Sequence, residues 1–243
     1  MSVCVCIPTR NRRWTQDFSL SCMNRQDLQP TVWIVLDASD SDDQAWNRSL
    51  LPPHAVYARI ENKPIGEMRN RCIAMALEHE WEYLVFWDDD DYYPPTRISS
   101  GVKALKATPD ADIAASSKMY LFLTRENVLL TSGPFHDNHG TAATYTIRRR
   151  YFDKNRFDPK KTMAEELSFT REWTAKMVQV NSEETIVVMG HPQNTVDKSQ
   201  ILKDPAMFMS KVVNDVNGKQ VFRSRWSLPQ SQWDLWKSTF SVS

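Results

Sequence analysis

The chain has 243 residues, of which 41% are hydrophobic and 25% charged, a length and balance that suit an ordinary globular protein with a sizeable core. Thirty Lys and Arg offset thirty Asp and Glu, so no overall field draws the chain to nucleic acid or to an anionic membrane. The four cysteines, Cys4, Cys6, Cys22 and Cys72, lack a metal-site spacing and read as buried, reduced thiols. No leader precedes the first apolar run and no window reaches the length of a transmembrane helix. A cytoplasmic location without a membrane span is therefore expected.

In chain order, residues 3–7 form an apolar run that Pro8 ends, a first buried strand. Residues 12–25 carry Phe18, Cys22 and Met23 on one side of a candidate helix. Residues 31–36 are a second β-branched run that ends at Asp37-Ala38-Ser39-Asp40, and 56–60 a third. Pro64-Ile65-Gly66-Glu67 opens a helical segment to about residue 80, with Met68, Cys72, Met75 and Ala76 at helical spacing. Residues 83–87 are a fourth strand. This alternation predicts a mainly parallel sheet flanked by helices. A helix over 97–107 follows, then short strands at 111–117, 119–124 and 128–131, with a turn at 125–127. Residues 141–147 read as a strand, 162–178 as a helix and 185–189 as a last strand. Asp204-Pro205 and Gly218 bracket a helix over 205–217. The aromatics Trp226, Trp233, Trp236 and Phe240 suit one more short helix, either stacking on a sugar or anchoring the tail. A single domain is expected, with a nucleotide-binding half at 1–110, an acceptor half at 111–200 and a helical tail at 201–243.

The most informative stretch is 83–95. An apolar strand gives way to Asp88-Asp89-Asp90-Asp91 and then to Pro94-Pro95, which cannot continue a strand. Ligands of open α/β sheets bind beyond the carboxyl ends of the strands. Four carboxylates there call for a cation, and hard oxygen donors suit Mg2+ or Mn2+ bridging to phosphate. Asp37, also at a strand end, suits a nucleotide hydroxyl or base N–H, or else an Asx turn. Pro8, Thr9 and Arg10 stand where polar groups can meet a nucleotide. Gly66, before a helix, permits close approach of a phosphate. His136 and His139 sit in a Gly/Asn-rich loop, and Arg148-Arg149-Arg150 reads as a solvated strand end.

Six ordered segments carry a family resemblance that spans residues 3–194. They are Ile7-Pro8-Thr9-Arg10-Asn11-Arg12, Asp37-Ala38-Ser39-Asp40, Gly66-Glu67-Met68-Arg69-Asn70, Asp88-Asp89-Asp90-Asp91, Gly140-Thr141-Ala142-Ala143 and Ala164-Glu165-Glu166. The pattern resembles GT-A-fold glycosyltransferases, close to glycosyltransferase family 2. The resemblance implies a GT-A α/β fold and a metal-dependent, inverting transfer from a nucleotide-sugar, a UDP-sugar by expectation, to the hydroxyl of a glycan or other acceptor. It matches Asp88-Asp89-Asp90 to the Asp-x-Asp element, with Asp88 facing ribose or sugar and Asp90 ligating Mn2+ or Mg2+. It makes Arg69 and Asn70 nucleotide contacts, His191 a further metal ligand or diphosphate contact, and Glu166, or else Glu165, the base. Here Glu-Glu replaces the family's more usual Glu-Asp. A nucleotidyltransferase of related fold, or a non-catalytic nucleotide- or carbohydrate-binding module, is the alternative.

Overall fold

The apolar runs of the first half become strands that pair side by side. In a computed structural model, which describes residues 1–194, 196–213 and 218–240, β1 (Val3–Thr9) is followed by a 3-10 turn at Arg13–Thr15 and α1 (Gln16–Asn24). Next come β2 (Val32–Asp37), β3 (Ala55–Arg59), α2 (Ile65–Leu77), β4 (Tyr83–Phe86) and α3 (Arg97–Ala107). Then follow β5 (Ile113–Ala115), β6 (Met119–Leu123), β7 (Val128–Ser132) and β8 (Thr146–Arg148). The chain continues through α4 (Glu166–Phe169), β9 (Met177–Gln179), β10 (Val187–Gly190) and α5 (Gln200–Lys203). It closes with β11 (Lys211–Val212), α6 (Gly218–Arg225) and α7 (Gln230–Phe240).

A seven-stranded sheet runs in the order β3-β2-β1-β4-β8-β5-β9. Strands β3, β2, β1 and β4 are mutually parallel, and β8 runs antiparallel to both β4 and β5. This is the expected mixed, mainly parallel sheet flanked by helices. All seven residues of β1 are buried, because helices cover both faces of the sheet. Val3, Val5 and Ile7 pack with Phe18 of α1 and Trp236 and Phe240 of α7, while Cys4 and Cys6 pack with Cys72 and Ile73 of α2. All four cysteines are buried and unpaired.

A second sheet, β10-β6-β7-β11, is apolar on both faces. Along β6, Tyr120 and Phe122 join the main core while Leu121 and Leu123 join a separate cluster with Leu130 and Ile201, the period-two alternation of a strand. The C-terminal helices cover the first of these faces. Phe222 stacks on Phe122 with 5.0 Å between ring centroids, Trp233 stacks on Trp236 at 4.5 Å, and Phe240 meets Phe18 edge-on at 5.0 Å. Trp233 and Trp236 are thus buried tail anchors. Trp226 packs edge-on against Tyr120.

Several expectations need correction. Residues 162–178 are not one helix: α4 ends at Phe169, and Arg171, Glu172 and Trp173 all take left-handed φ values of 52°, 54° and 62°. Met163 and Leu167, which supplied half of the helical spacing, are exposed, so that spacing marks no buried stripe. Residues 205–212 are not helical either. Asp204 caps a single turn by accepting from Met207 N at 3.1 Å, Met209 turns left-handed at φ 48°, and Lys211–Val212 pairs with β7. The rest of that expected helix, 214–217, lies outside the described residues, and Gly218 opens α6 instead of ending a helix. Within 141–147, Ala142–Thr144 is a 3-10 turn, and only Thr146 onward is strand.

The arginine run after β8 is structural rather than solvated at its first two positions. Arg148 donates to Ala111 O at 3.0 Å and to Leu105 O at 2.5 Å, while Arg149 donates to His79 O at 2.7 Å and Leu77 O at 3.2 Å. Both arginines cap the C-terminal ends of α3 and α2, where helix carbonyls run short of intrahelical donors; Leu105 O accepts from Thr108 N as well.

Candidate active site

The parallel register of β1 on β4 sets Cys6 beside Phe86, so Pro8–Thr9 and the four-aspartate turn leave the sheet together. Trp87 N donates to Cys6 O at 3.0 Å. Tyr93 folds back on Trp87 with ring centroids 3.8 Å apart, and its hydroxyl accepts from Asp88 N at 2.7 Å. The turn is then docked on β10. Tyr92 exchanges two backbone hydrogen bonds with Val187, at 3.0 and 2.8 Å, and Asp91 accepts from Met189 N at 2.9 Å. That docking delivers His191, two residues further on, to Asp90.

The four aspartates divide by environment. Asp89 accepts from Thr9 Oγ1 and from Arg12 Nη1, the latter at 2.7 Å. Asp90 Oδ2 lies 2.7 Å from Arg12 Nη1, 3.0 Å from His191 Nε2 and 3.2 Å from Asn194 Nδ2. Burial opposes ionisation of Asp90, but Arg12 and His191 outweigh it and hold Asp90 below the usual carboxylate range. Burial, with the Asp90 charge adding to it, lifts Asp89 to about 6 in spite of Arg12. Burial and the charges of Asp90 and Asp88 carry Asp91 well above that range, which suits its role as a buried tether. Asp88 is the most exposed of the four and accepts from Arg69 Nη2 at 3.2 Å.

Arg69 joins the two acidic groups. From the first turns of α2 its Nε also donates to Glu165 Oε1 at 2.8 Å, and its guanidinium stands over the Phe86 ring at 5.1 Å. Its Nη1 is buried without a partner. Ala164 turns the chain at φ 52° just before the two glutamates. Glu166 accepts from Ala142 N at 3.0 Å. Burial and the neighbouring Glu165 charge raise the Glu166 carboxyl above its ordinary value. The Ala142 turn is itself fixed by Arg97, whose guanidinium donates to Ala143 O, Tyr145 O and Thr146 Oγ1 at 3.2, 2.9 and 3.0 Å.

These groups line one cleft of about 1110 Å3. Pro8, Thr9, Arg10, Arg69, Asp88, Asp89, Asp90, Glu165 and Glu166 all contribute to its walls. The wall beyond the acids is apolar, with Met119, Leu121, Val188, Ile201 and Phe208 from the second sheet and its cover. Phe135 and His139 close that end, and burial lowers His139 to about 4.

Three residues expected to touch a nucleotide are instead spent on scaffold. Asp37 is fully buried, and its carboxylate accepts from Ser39 N, Trp46 N and Tyr57 Oη at 2.8, 2.8 and 2.9 Å, the Asx-turn arrangement. Asn70 exchanges hydrogen bonds with Phe157 O and N at 2.9 and 3.0 Å. Gly66 is small because protein approaches it: an added Cβ would sit 2.0 Å from Asp158 O, and its N–H donates to Lys161 O at 3.1 Å. Gly66→Ala should therefore destabilise the fold by about 1–3 kcal/mol, as overpacking does, read as a lower urea midpoint. Sequence reasoning passed over Arg12, Asn194 and Arg97. For Arg12 the available signal was its place, just beyond the end of the strand that pairs with the acidic one.

Among the described residues no group of three or more His, Cys, Asp or Glu side chains converges on a metal position. A divalent cation would therefore share its shell with a ligand, as Mg2+ commonly does with one or two carboxylates and substrate phosphates. Asp90, ionised and hard, fits that requirement. His191 accepts from Gln193 N through Nδ1 at 3.2 Å, and its Nε2 stands 3.0 Å from Asp90 Oδ2 and 2.9 Å from Asn194 Nδ2.

Comparison with known proteins agrees with this architecture. No curated protein matches the chain in sequence. Among solved structures, S. aureus TarS 1-349 superposes with a TM-score of 0.55 at 14% identity, over 98% of this chain and 70% of that one. TarS 1-349 in complex with UDP-GlcNAc gives 0.53 at 13%, over 100% and 74%. The mannosyltransferase PcManGT from Pyrobaculum calidifontis, in complex with GDP-Man and Mn2+, gives 0.59 at 13%, over 97% and 68%. At such identities the likeness establishes the GT-A fold. The family model for glycosyl transferase family 2 matches residues 4–132, more than half of the chain and the whole run from β1 to β7. The chain belongs to glycosyl transferase family 2.

Proposed function

We propose that the protein is an inverting, divalent-cation-dependent glycosyltransferase that moves a sugar from a nucleotide-sugar, with a UDP-sugar as the expected donor, to an acceptor hydroxyl. The observation that carries this reading is the Arg69 bridge. One guanidinium touches Asp88 at 3.2 Å and Glu165 at 2.8 Å, so the acids suited to the donor and the acids suited to the acceptor face each other across a single cleft. Neighbours of the same fold were solved with UDP-GlcNAc and with GDP-Man and Mn2+, which supports the substrate class and leaves the base to experiment. Residues 1–243 act as one unit in this reading, and the apolar cluster that joins both sheets supports it.

The residues take distinct parts. Asp90, with His191 beside it, would hold Mn2+ or Mg2+, which when bound supplies Lewis-acid neutralisation of a leaving diphosphate. Asp88 faces the ribose or sugar, and the free Nη1 of Arg69 offers a charged donor to the same ligand. Pro8, Thr9 and Arg10 border the nucleotide. Glu166 receives the proton of the acceptor hydroxyl, its raised basicity matching that task. The apolar wall of Met119, Leu121 and Phe135 excludes water from the acceptor end.

The test is turnover of a nucleotide-sugar panel with Mn2+, by nucleotide release, with and without simple glycoside acceptors. Wild type should turn over one donor class, and Asp90→Ala should lose about tenfold or more of that rate. Undiminished Asp90→Ala activity would remove the metal assignment, and no turnover of any nucleotide-sugar would remove the donor assignment.

A further inference from the structure

Arg12 places a positive charge where the divalent ion is expected. Its Nη1 is 2.7 Å from Asp89 Oδ1 and 2.7 Å from Asp90 Oδ2. Asp90 Oδ2 also faces His191 Nε2 and Asn194 Nδ2, so its lone pairs are fully used. A divalent ion cannot take a share of that oxygen while a guanidinium stands on it, since two cations at ligand distance repel strongly in a buried site. One of the two must leave.

The backbone of Arg12 does not need to move for that exchange. Its carbonyl accepts from Thr15 N, Thr15 Oγ1 and Trp46 Nε1 at 3.0, 2.9 and 3.1 Å. The preceding Asn11, at φ 55°, has its N–H on Ser39 Oγ at 2.7 Å. The side chain can swing about its own torsions from a fixed root at the edge of the cleft. Of the other arginines nearby, Arg69 is held by Glu165 and Asp88 with its Nη1 left without a partner, and Arg10 pairs with Asp40. A guanidinium suits diphosphate oxygens at least as well as carboxylates, because its fork pairs two oxygens at once.

We propose that Arg12 is an exchangeable place-holder for the divalent cation. In the donor-free protein it neutralises Asp89 and Asp90. When nucleotide-sugar and cation arrive, it passes from the two aspartates to the diphosphate and vacates Asp90 Oδ2. Cation and donor therefore bind with positive coupling, and the coupling is reciprocal because it is a free energy shared by the two sites. This rests on the metal-dependent reading above and adds to it an order: the free protein resists the ion, and the donor unlocks it.

The experiment uses the full chain and two probes, Mn2+ alone, followed by the spin-resonance signal of the free ion, and UDP or GDP titrated calorimetrically in saturating Mn2+. Arg12→Met should bind Mn2+ alone more tightly than wild type and the nucleoside diphosphate more weakly, each by about tenfold or more, in the range usual for coupled sites. A residue that merely braced the loop would weaken both or neither, so opposite shifts from one substitution are the signature. Should Arg12→Met fail to fold, Arg12→Lys, which keeps the charge without the fork, should give the same two shifts at smaller size. Mn2+ affinity in the folded variant equal to or below that of wild type overturns the place-holder and leaves the metal reading standing. Absence of Mn2+ binding in wild type and variant alike, with or without nucleotide, overturns both.

Discussion

Glu166→Gln should cut sugar transfer by about 10²–10⁴-fold, the usual worth of a general base, while leaving nucleotide-sugar affinity near wild type. The two glutamates are adjacent but not equivalent. Glu165 is engaged in an ion pair, its Oε1 held by Arg69 Nε at 2.8 Å. Glu166 is lifted by burial and by the Glu165 charge, against the Ala142 N–H, the Arg69 charge and its own backbone N–H. The pH dependence follows with a definite sign. A base works deprotonated, so kcat/KM should fall as pH drops through the raised Glu166 value, giving an acid limb above that of an ordinary glutamate. Glu166→Gln should remove that limb together with the rate. Retention of both in the variant would transfer the role to another group, and loss of both rate and limb in Glu165→Gln instead would name Glu165.

Arg69→Met should destabilise the protein by about 3–5 kcal/mol, the cost of leaving a buried carboxylate without its partner. Arg69 and Glu165 are both at least nine-tenths buried, so solvent does little to screen the loss. The check is urea unfolding of wild type, Arg69→Met, Glu165→Gln and the double variant. The double variant should recover much of the stability, because removing both partners strands no charge. Additive single losses would mean that Arg69 acts through its rings of contact with Phe86 and Phe157 and not through Glu165.

What was legible in the sequence follows from where the physics is local. The strands β1, β2 and β4 are apolar runs because a sheet covered on both faces buries nearly every residue, and their polar ends announced the acid turn and Thr9. The helix α2 was visible as a stripe through Met68, Cys72 and Ala76, all buried. The region around Glu165 was not, since three consecutive left-handed residues replace the helix that Met163 and Leu167 seemed to extend. Asp37 stayed open between nucleotide contact and Asx turn because an aspartate at a strand end looks the same whether it faces a ligand or three protein donors. The clamp of Arg12 on Asp89 and Asp90 joins residues 77 and 78 positions apart in sequence and leaves no periodic trace. Likewise, the two-faced second sheet needed α6 and α7 to explain its alternation, and those helices come roughly a hundred residues later.

The clasp made by Arg148 and Arg149 constrains how the protein is made. Until β8 emerges from the ribosome, the nascent chain holds β4 as an open edge of a hydrophobic sheet, and the C-terminal ends of α2 and α3 lack their arginine caps. Such an edge pairs readily with another chain, and non-local pairing is slow. The first 110 residues hold the four parallel strands β1 to β4, yet the piece that seals their sheet arrives at Thr146–Arg148. A truncation at residue 110 is thus a sheet with a missing stave, and it should associate with itself more strongly than the full chain, read by light scattering of the two at equal concentration.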